Sequence, residues 1–428
     1  MHIGIYINNE NIAGINCSNL LDGNPGIGGT EYCILLLAQT YKIYYTNQKV
    51  TLFISKSGKL PKVDNYVTVT SLEELSTKAA NEDVDILVVS AVYNGKPLPH
   101  SFFISIDQKK IKTILWGHNF YLNDFCNEVA KCSYIRGNVF VGRQQYDRYV
   151  DHQIIRKSTY IYNMYPEVKE QRFSLKNHNV TYIGSLVPAK GFHLLAKAWK
   201  TILAQIPDAE LNVIGSGKLY GRNSKLGEYG IADEEYENSF MPGLLDESGK
   251  ILDSVHFLGV LGTEKKNIIL STAVGVPNPS GRTETFGISA LDFESMAVPV
   301  VTIKKGGFLD TVIDKKTGLL YSSTDELASN ILELLNDKEK NVAYGKSGHE
   351  LAKKFVPEKI IRQWHNLFET IQKEGKLTYQ TPDSFLEDNL KRWRVANRKL
   401  KNALHIEGGF SVIWLETVAH NVLRRLGK

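Results

Sequence analysis

Residues 278–301 read NPSGRTETFGISALDFESMAVPVV, and this stretch is the strongest single indication of the fold class. An apolar run at 273–276 precedes it and another at 299–303 overlaps its end, as expected of two buried strands. Between them Ile288, Leu291 and Met296 recur at helical spacing. The stretch therefore predicts a strand–loop–helix–strand unit, which is the repeating unit of a parallel α/β sheet.

The same alternation of strand and helix patterns continues in both directions along the chain. The predicted strands lie at 2–7, 50–54, 86–89, 113–116, 139–141 and 158–162 in the first half, and at 180–183, 209–215, 254–258, 268–276 and 299–303 in the second. Helices are predicted at 30–46, 192–205 and 359–372. This order predicts an α/β protein of two doubly wound, Rossmann-like domains facing a central cleft, with a helical C-terminal extension. Ligands of such sheets bind beyond the carboxyl ends of the strands, so the loops there are the candidates for chemistry.

Length and local composition divide the chain further. At 428 residues it is too long for one ordinary core, so two domains are expected. We place the first domain at 1–165, a polar linker at 166–179, the second domain at 180–358, a closing helix at 359–377 and a basic amphipathic tail at 378–428. Residues 218–247 are rich in Gly, Glu, Asn and Tyr and are interpreted as a surface insertion.

The composition is that of a soluble globular protein, with 43% apolar and 23% charged residues. A net charge of +5 is mild at this size and does not indicate a nucleic-acid partner. No apolar run reaches the ~18 residues of a membrane span, and the chain opens with a strand pattern instead of a signal sequence, so a cytoplasmic location is expected. Four cysteines, Cys17, Cys33, Cys126 and Cys132, form no CxxC pair, which favours buried, reduced thiols.

The loop within 278–301 suggests a ligand that carries both phosphate and hydroxyl groups. Gly287 lets a ligand approach the backbone, and the free amides at the start of the following helix suit a phosphate. Glu284, just before it, would repel a phosphate but can accept hydrogen bonds from the hydroxyls of a sugar.

These residues resemble the donor-binding signature of glycosyltransferase family 4, whose members have the GT-B fold. The matches are Pro279-Ser280, Glu284, Phe286-Gly287 and Pro299-Val300-Val301. A second acid, Asp292, lies eight positions after Glu284, where the family usually has Glu. The nearby Glu294 lies two positions out of register. The resemblance implies that Glu284 contacts the donor sugar and Asp292 the ribose. It also places Thr285, Phe286 and Gly287 at the donor, and assigns the acceptor to the first domain and the nucleotide sugar to the second.

A second loop resembles the one with which the family holds the donor diphosphate. This loop, residues 182–195, reads YIGSLVPAKGFHLL and matches at Gly184, Lys190 and Gly191. Ser185 is a predicted donor-binding residue of the same loop and stands where the family often has Arg. The resemblance implies that Lys190 neutralises the leaving diphosphate, which lowers the barrier because negative charge develops there. Since Ser185 carries no charge, we hypothesise that Arg282 supplies a second cation.

Further motifs resemble other parts of the family's donor site. Gly28-Gly29, followed by Glu31, resembles a Gly-Gly-x-Glu loop whose amides approach the diphosphate and the acceptor. His118 follows a predicted strand where a family histidine touches the donor sugar, and Gly215 and Gly217 resemble glycines beside the nucleoside. Plain turn glycines and a structural histidine are the alternatives.

The tail combines positive charge with an apolar stripe. Residues 391–401 contain six basic residues and no acid, and Trp414, Leu415 and Val418 begin a stripe at near-helical spacing within 410–426. Such a segment suits a peripheral contact with an anionic membrane through 391–428. It suits packing on the body of the protein or a subunit contact equally well.

The resemblance implies a retaining glycosyltransferase that moves a sugar from a UDP- or GDP-sugar to a hydroxyl of a glycan or lipid-linked acceptor. A role in bacterial surface polysaccharide or glycoconjugate synthesis, without a metal or other cofactor, is expected at family level. The catalytic residues would be Glu284, Lys190 and His118. Two alternatives remain open: a nucleotide-sugar epimerase, and a non-catalytic partner subunit that keeps the fold.

Overall fold

The computed structural model describes residues 1–172, 174, 177–217, 225–375, 377 and 390–425. Strands and helices alternate along most of this length. In chain order they are β1 (His2–Ile7), α1 (Gly29–Tyr44), β2 (Lys49–Ile54), β3 (Asn65–Thr68), α2 (Leu72–Asn81), β4 (Ile86–Ser90), β5 (Val92–Tyr93), β6 (Lys96–Pro97), α3 (His100–Lys109), β7 (Thr113–Gly117), α4 (Asn123–Lys131), β8 (Ile135–Phe140), α5 (Arg143–Asp147), β9 (Ser158–Tyr160), β10 (Asn179–Ile183), α6 (Phe192–Gln205), β11 (Glu210–Ile214), α7 (Glu234–Phe240), β12 (Val255–Gly259), α8 (Lys265–Leu270), β13 (Val274–Pro277), α9 (Ile288–Glu294), β14 (Val300–Ile303), α10 (Phe308–Thr311), β15 (Gly318–Tyr321), α11 (Glu326–Asn336), α12 (Lys338–Ala352), α13 (Pro357–Gln372), α14 (Lys391–Ala403) and α15 (Val412–Arg425).

The elements group into two units. The first consists of Met1–Leu20, Gly29–Met164 and Pro357–Lys428, and the second of Leu21–Gly28 and Tyr165–Val356. The segment 166–179, interpreted as a linker, is thus counted with the second unit, and the three last helices are counted with the first. Residues 378–389 and 426–428 of the predicted tail lie outside the described part of the chain.

A seven-stranded parallel sheet in the order β3-β2-β1-β4-β7-β8-β9 forms the centre of the first unit. β1 is an interior strand of this sheet, and all six of its residues are buried, as expected of a strand covered on both faces. α1 buries an unbroken run from Tyr32 to Tyr41. The core of this unit includes Phe102, Leu115 and Tyr149.

The second unit contains a six-stranded parallel sheet in the order β12-β11-β10-β13-β14-β15. Its first strand lies centrally and the order reverses there, which is the doubly wound arrangement of Rossmann-like domains. Trp199 of α6 and Val213 and Val276 of the sheet are fully buried in its core. The predicted fold class, two Rossmann-like domains of the GT-B type with a helical extension, is confirmed.

Two local predictions are wrong. Residues 268–276 do not form one strand, because Lys265–Leu270 is helical and β13 begins at Val274. The hydroxyl of Thr272 donates to the carbonyl of Ile268, which ends that helix. The described part of 218–247 is not all surface, since Tyr236 and Phe240 of α7 are buried in the core.

The cysteines agree with the sequence reasoning: Cys17, Cys33, Cys126 and Cys132 are all free and buried. Among the described residues, no helix is long and apolar enough to cross a membrane.

Candidate active site

The order of the second sheet brings two loops together. β10 and β13 are paired from Val180↔Val274 to Ile183↔Pro277. The chain leaves β10 toward β11 and leaves β13 toward β14, on opposite sides. The loops after these two strands therefore meet at a topological switch point, where open α/β sheets bind ligands. One loop carries Lys190 and the other carries Glu284.

These two side chains form an ion pair, with Lys190 Nζ 3.1 Å from Glu284 Oε2. The side chains are 22% and 12% exposed, so the pair is shielded yet reachable. Asn278 Nδ2 donates to the same carboxylate oxygen at 3.0 Å, and the Gly287 amide donates to Oε1 at 3.0 Å. The residues predicted to hold the diphosphate and the sugar are thus in direct contact.

The surroundings of Glu284 keep it charged. Burial raises the pKa of the carboxyl, but the Lys190 charge and the hydrogen bonds from Asn278 and Gly287 outweigh burial and hold the pKa below its ordinary value. At neutral pH the group is therefore an ionised acceptor, suited to hydroxyl donors.

The loop that carries Glu284 has a strained backbone. Asn278 and Thr283 have φ of 34° and 60°, in the left-handed region that non-glycine residues seldom adopt. Thr283 is β-branched, which makes this conformation costlier still. Strain of this kind persists only where surrounding contacts impose it, and it concentrates at ligand-binding sites.

Sequence reasoning named Ser280 within the signature but missed its contact with the other loop, and it missed Gly306 and Gly307. The Ser280 hydroxyl donates to the Ala189 carbonyl at 2.6 Å and so ties the two loops together. The Gly307 amide donates to the Glu284 carbonyl at 3.0 Å, and a Cβ at Gly306 would lie 2.5 Å from that oxygen. The glycine pair Gly306-Gly307, shortly after the predicted strand 299–303, was the available signal.

Asp292, the predicted ribose contact, lies in a separate polar cluster. Its Oδ1 is 2.8 Å from Lys265 Nζ and accepts a hydrogen bond from the Tyr165 hydroxyl at 2.8 Å. Its neighbour Glu294 is fully buried, and burial raises the pKa of that carboxyl well above its ordinary value. Asp292 is therefore bound to Lys265 and Tyr165, and its contact with ribose stays a prediction.

Glycines predicted at the nucleoside have structural reasons of their own. A Cβ at Gly215, where φ is 146°, would lie 1.8 Å from the Gly184 carbonyl oxygen, and one at Gly217 would lie 2.6 Å from Ala232 Cα. Ser185, next to Gly184, is buried. Gly215 lets the ends of β10 and β11 approach each other, and Gly217 lets its loop pack against Ala232. Their contact with a nucleoside stays a prediction.

The other predicted site residues in the loop that carries Glu284 differ in exposure. Thr285 and Phe286 are buried, and Phe286 packs edge-on against Phe355 with ring centroids 5.4 Å apart. Arg282 is exposed, and its charge adds to burial in lowering the pKa of His193. Of these residues, only Arg282 has a side chain that reaches solvent freely enough to meet a phosphate.

His118 follows β7 in the first unit and packs against Trp116, with ring centroids 4.6 Å apart. Both of its ring nitrogens are shielded from solvent. Burial lowers its pKa to about 3, against the opposing effect of a hydrogen bond with the Asn163 side chain. His118 is therefore neutral at physiological pH and can donate or accept a hydrogen bond without carrying charge.

Gly28 and Gly29 lie at the start of α1, but they belong to different units, Gly28 to the second and Gly29 to the first. A Cβ at Gly29 would meet nothing within 4 Å. The space beside this helix start is therefore open, which agrees with a loop that a ligand can approach. The acid that follows, Glu31, is partly buried, and burial raises its pKa.

Comparison with known proteins finds similarity in the second unit. Residues 166–351 match the family described as glycosyl transferases group 1. An uncharacterized glycosyltransferase of Methanocaldococcus jannaschii is 27% identical over 225 residues, which are 52% of this chain and 56% of that protein. The capsular polysaccharide biosynthesis glycosyltransferase CapM of Staphylococcus aureus is 27% identical over 226 residues, 49% of this chain and 51% of that protein. The chain thus spans about half the length of these curated relatives.

The fold is also found among solved structures. Anabaena Alr3699/HepE, solved in complex with UDP and glucose, superposes with a TM-score of 0.61 at 16% identity. The match covers 86% of this chain and 100% of the Anabaena chain. It therefore extends well beyond residues 166–351 and shows the same fold.

Proposed function

We propose that this protein transfers a sugar from a nucleotide diphosphate donor to a hydroxyl group, because residues 166–351 match the family of group 1 glycosyl transferases. The donor is a UDP- or GDP-sugar, and the acceptor is a glycan or a lipid-linked glycan. Transfer retains the configuration at the anomeric carbon and uses no metal ion. The protein acts in the cytoplasm or at the inner face of the membrane, in synthesis of a surface polysaccharide or glycoconjugate. The name of the Staphylococcus aureus relative supports that role.

The Lys190–Glu284 pair at the switch point is the observation that carries the proposal. A diphosphate brings more negative charge than one carboxylate, so it competes with Glu284 for the Lys190 ammonium. Glu284 keeps its hydrogen bonds from Asn278 and Gly287 and turns its free acceptor capacity to sugar hydroxyls. One site thereby receives both halves of the donor.

In the transfer step the bond between the anomeric carbon and the diphosphate oxygen breaks, and the acceptor oxygen bonds to the same carbon from the same face. The acceptor proton passes to an oxygen of the leaving diphosphate. Lys190 stabilises the charge that develops on that group. His118, neutral because burial lowers its pKa to about 3, positions the sugar by hydrogen bonding.

A ligand screen followed by a turnover assay tests this function. The cognate nucleotide sugar among UDP-, GDP- and ADP-sugars should raise the melting temperature, because it binds only the native state. Turnover with acceptor should then disappear in Glu284→Ala while the variant remains folded. If no nucleotide sugar shifts the melting temperature, the proposal fails.

The same assay separates the two alternatives. Conversion of the donor sugar without any acceptor would identify an epimerase. Donor binding without turnover, in the presence of an acceptor that a related enzyme uses, would identify a non-catalytic subunit.

A further inference from the structure

The helix α14 is amphipathic, and its charged side faces the protein. Arg394, Arg398 and Lys401 are 0%, 3% and 6% exposed. Their guanidinium and ammonium groups donate to backbone carbonyls within residues 148–152, at 2.7 to 2.9 Å. Half of the basic residues in 391–401 are therefore used to hold α14 against the first unit.

A second set of contacts attaches α15 to Arg148 and Asp151 of the first unit and to Arg394 of α14. Glu416 forms an ion pair with Arg394 and another with Arg148, the latter at 3.0 Å. The buried carboxylate of Asp151 accepts hydrogen bonds from the Val412 amide at 2.6 Å and from Asn397 Nδ2 at 2.9 Å. Both helices are thus attached by polar contacts on their inner sides.

Their outer sides carry a concentration of exposed apolar side chains. Of the 18 large apolar side chains that are exposed in the described residues, 11 lie within 390–423. They are Leu390, Trp393, Leu400, Leu404, Ile406, Phe410, Trp414, Leu415, Val418, Val422 and Leu423, and together they are called the apolar C-terminal face. Exposed apolar groups concentrated in this way mark an interaction surface, whereas single ones do not.

The charges around this face favour an anionic partner. Arg392 and Lys399 are exposed on α14. The acid that is exposed in the same segment, Glu407, lies 4.0 Å from Arg156, which offsets its charge. The face also carries two tryptophans, Trp393 and Trp414, a residue type that concentrates at the boundary between lipid headgroups and hydrocarbon.

We propose that the apolar C-terminal face docks on an anionic lipid bilayer, with α14 and α15 lying in the plane of the membrane surface. Trp393 and Trp414 insert among the lipids, and Arg392 and Lys399 meet the headgroups. Because Arg394, Arg398 and Lys401 are engaged with the protein, insertion of apolar side chains, rather than attraction of the basic run, supplies most of the binding. Docking concerns the helices of the first unit and stands independently of the transfer chemistry.

Vesicle flotation tests the proposal with the whole protein. Vesicles of equal parts phosphatidylcholine and phosphatidylglycerol should carry the wild type upward in a density gradient. The double variant Trp393→Ser/Trp414→Ser should bind at least about tenfold less, because two large apolar side chains no longer enter the lipid. Ile104→Ser, which replaces an exposed apolar residue on α3 of the same unit, should bind as the wild type does. Raised salt should leave most of the binding intact, since salt screens charges and not apolar burial.

Three results would overturn it. The first is wild-type protein that does not float, and the second is a double variant that floats as well as wild type. The third is a wild-type dimer that the double variant converts to a monomer without any vesicle binding, because the face would then be a contact between two copies. Both tryptophans are exposed, so the double variant should keep the wild-type melting temperature and its nucleotide-sugar binding, and failure of docking remains distinct from failure of the proposed activity.

Discussion

At the scale of single residues, the candidate site depends on which groups are charged. Glu284 is ionised in a shielded loop because Lys190, Asn278 and Gly287 all stabilise its anionic form. His118 is neutral because the burial of its ring outweighs the hydrogen bonds with Asn163 and Trp116 that favour its charged form. An ionised acceptor and a neutral hydrogen-bonding ring both suit a ligand rich in hydroxyl groups.

The neutral state of His118 predicts a dependence of stability on pH. Its pKa is about 3 in the folded protein and 6.5 in the unfolded chain, so between these values only the unfolded chain binds the proton. The stability that the neutral ring contributes is therefore fully present above the pKa of the unfolded chain, 6.5, and it is lost as the pH falls from 6.5 toward about 3. Wild type should lose up to about 2 kcal/mol more than His118→Gln between about pH 7.5 and about pH 5, measured by urea unfolding. Equal losses in the two proteins would show that the ring is not held neutral.

The variant Arg282→Ala tests whether a second cation binds the phosphate groups of the donor. Its exposed guanidinium lies on the loop of Glu284, and a charged hydrogen bond to phosphate is worth about 1.5 to 3 kcal/mol. Arg282→Ala should therefore raise the donor KM or lower kcat by about tenfold or more. Lys316→Ala, which removes an exposed cation elsewhere in the second unit, should change neither constant. Unchanged kinetics in Arg282→Ala would end this role.

At the scale of the elements, close approach of the ends of β10 and β11 requires glycine at position 215. Gly215 has a φ of 146°, and a Cβ there would lie 1.8 Å from the Gly184 carbonyl. Gly215→Ala should lower the free energy of unfolding by about 3 kcal/mol or more, because two central strands must separate. Gly230→Ala is the matched control, since φ is 70° but the space around it is open. It should cost only about 1 to 2 kcal/mol. Equal losses of stability in the two variants would contradict the packing argument.

The elements also show what could be predicted from the sequence. The helix 192–205 is found with those bounds, and the loops with Lys190 and Glu284 follow strands as predicted. Residues 268–276 were misassigned because a short apolar run does not distinguish a helical turn from a strand. The links through Ser280 and Gly307 could not be predicted, since they join segments that are distant in the sequence and depend on the order of the sheet.

At the scale of the whole molecule, the tail shows a limit of pattern analysis. An amphipathic helix ordinarily packs its apolar side against the protein. The sequence did not decide whether the tail contacts a membrane, the body of the protein or another subunit. In the structure the cations of α14 face inward, because carbonyls within 148–152 and the carboxylate of Glu416 are there to receive them. The carbonyls come from another part of the chain, so the sequence of the segment alone could not reveal the orientation.

Arg394 should be essential for this attachment. It is fully buried, contacts Glu416 and lies 4.0 Å from the buried Asp151 carboxylate. Arg394→Met should lower the free energy of unfolding by about 3 kcal/mol or more, because it leaves buried charge without its cation. Arg392→Met, at an exposed position on the same helix, should stay within about 0.5 kcal/mol of wild type. Similar stabilities for the two variants in urea would contradict the inward role of Arg394.

The most direct test of the proposed function is donor turnover in Lys190→Met, a variant that keeps the length of the side chain and removes its charge. With the cognate nucleotide sugar and acceptor, release of nucleoside diphosphate should fall by about 100-fold or more, as expected when a group that stabilises developing charge is lost. The variant should remain folded, and Lys316→Met should retain wild-type turnover. Turnover by Lys190→Met within about a factor of two of wild type would contradict the placement of the diphosphate at the Lys190–Glu284 pair.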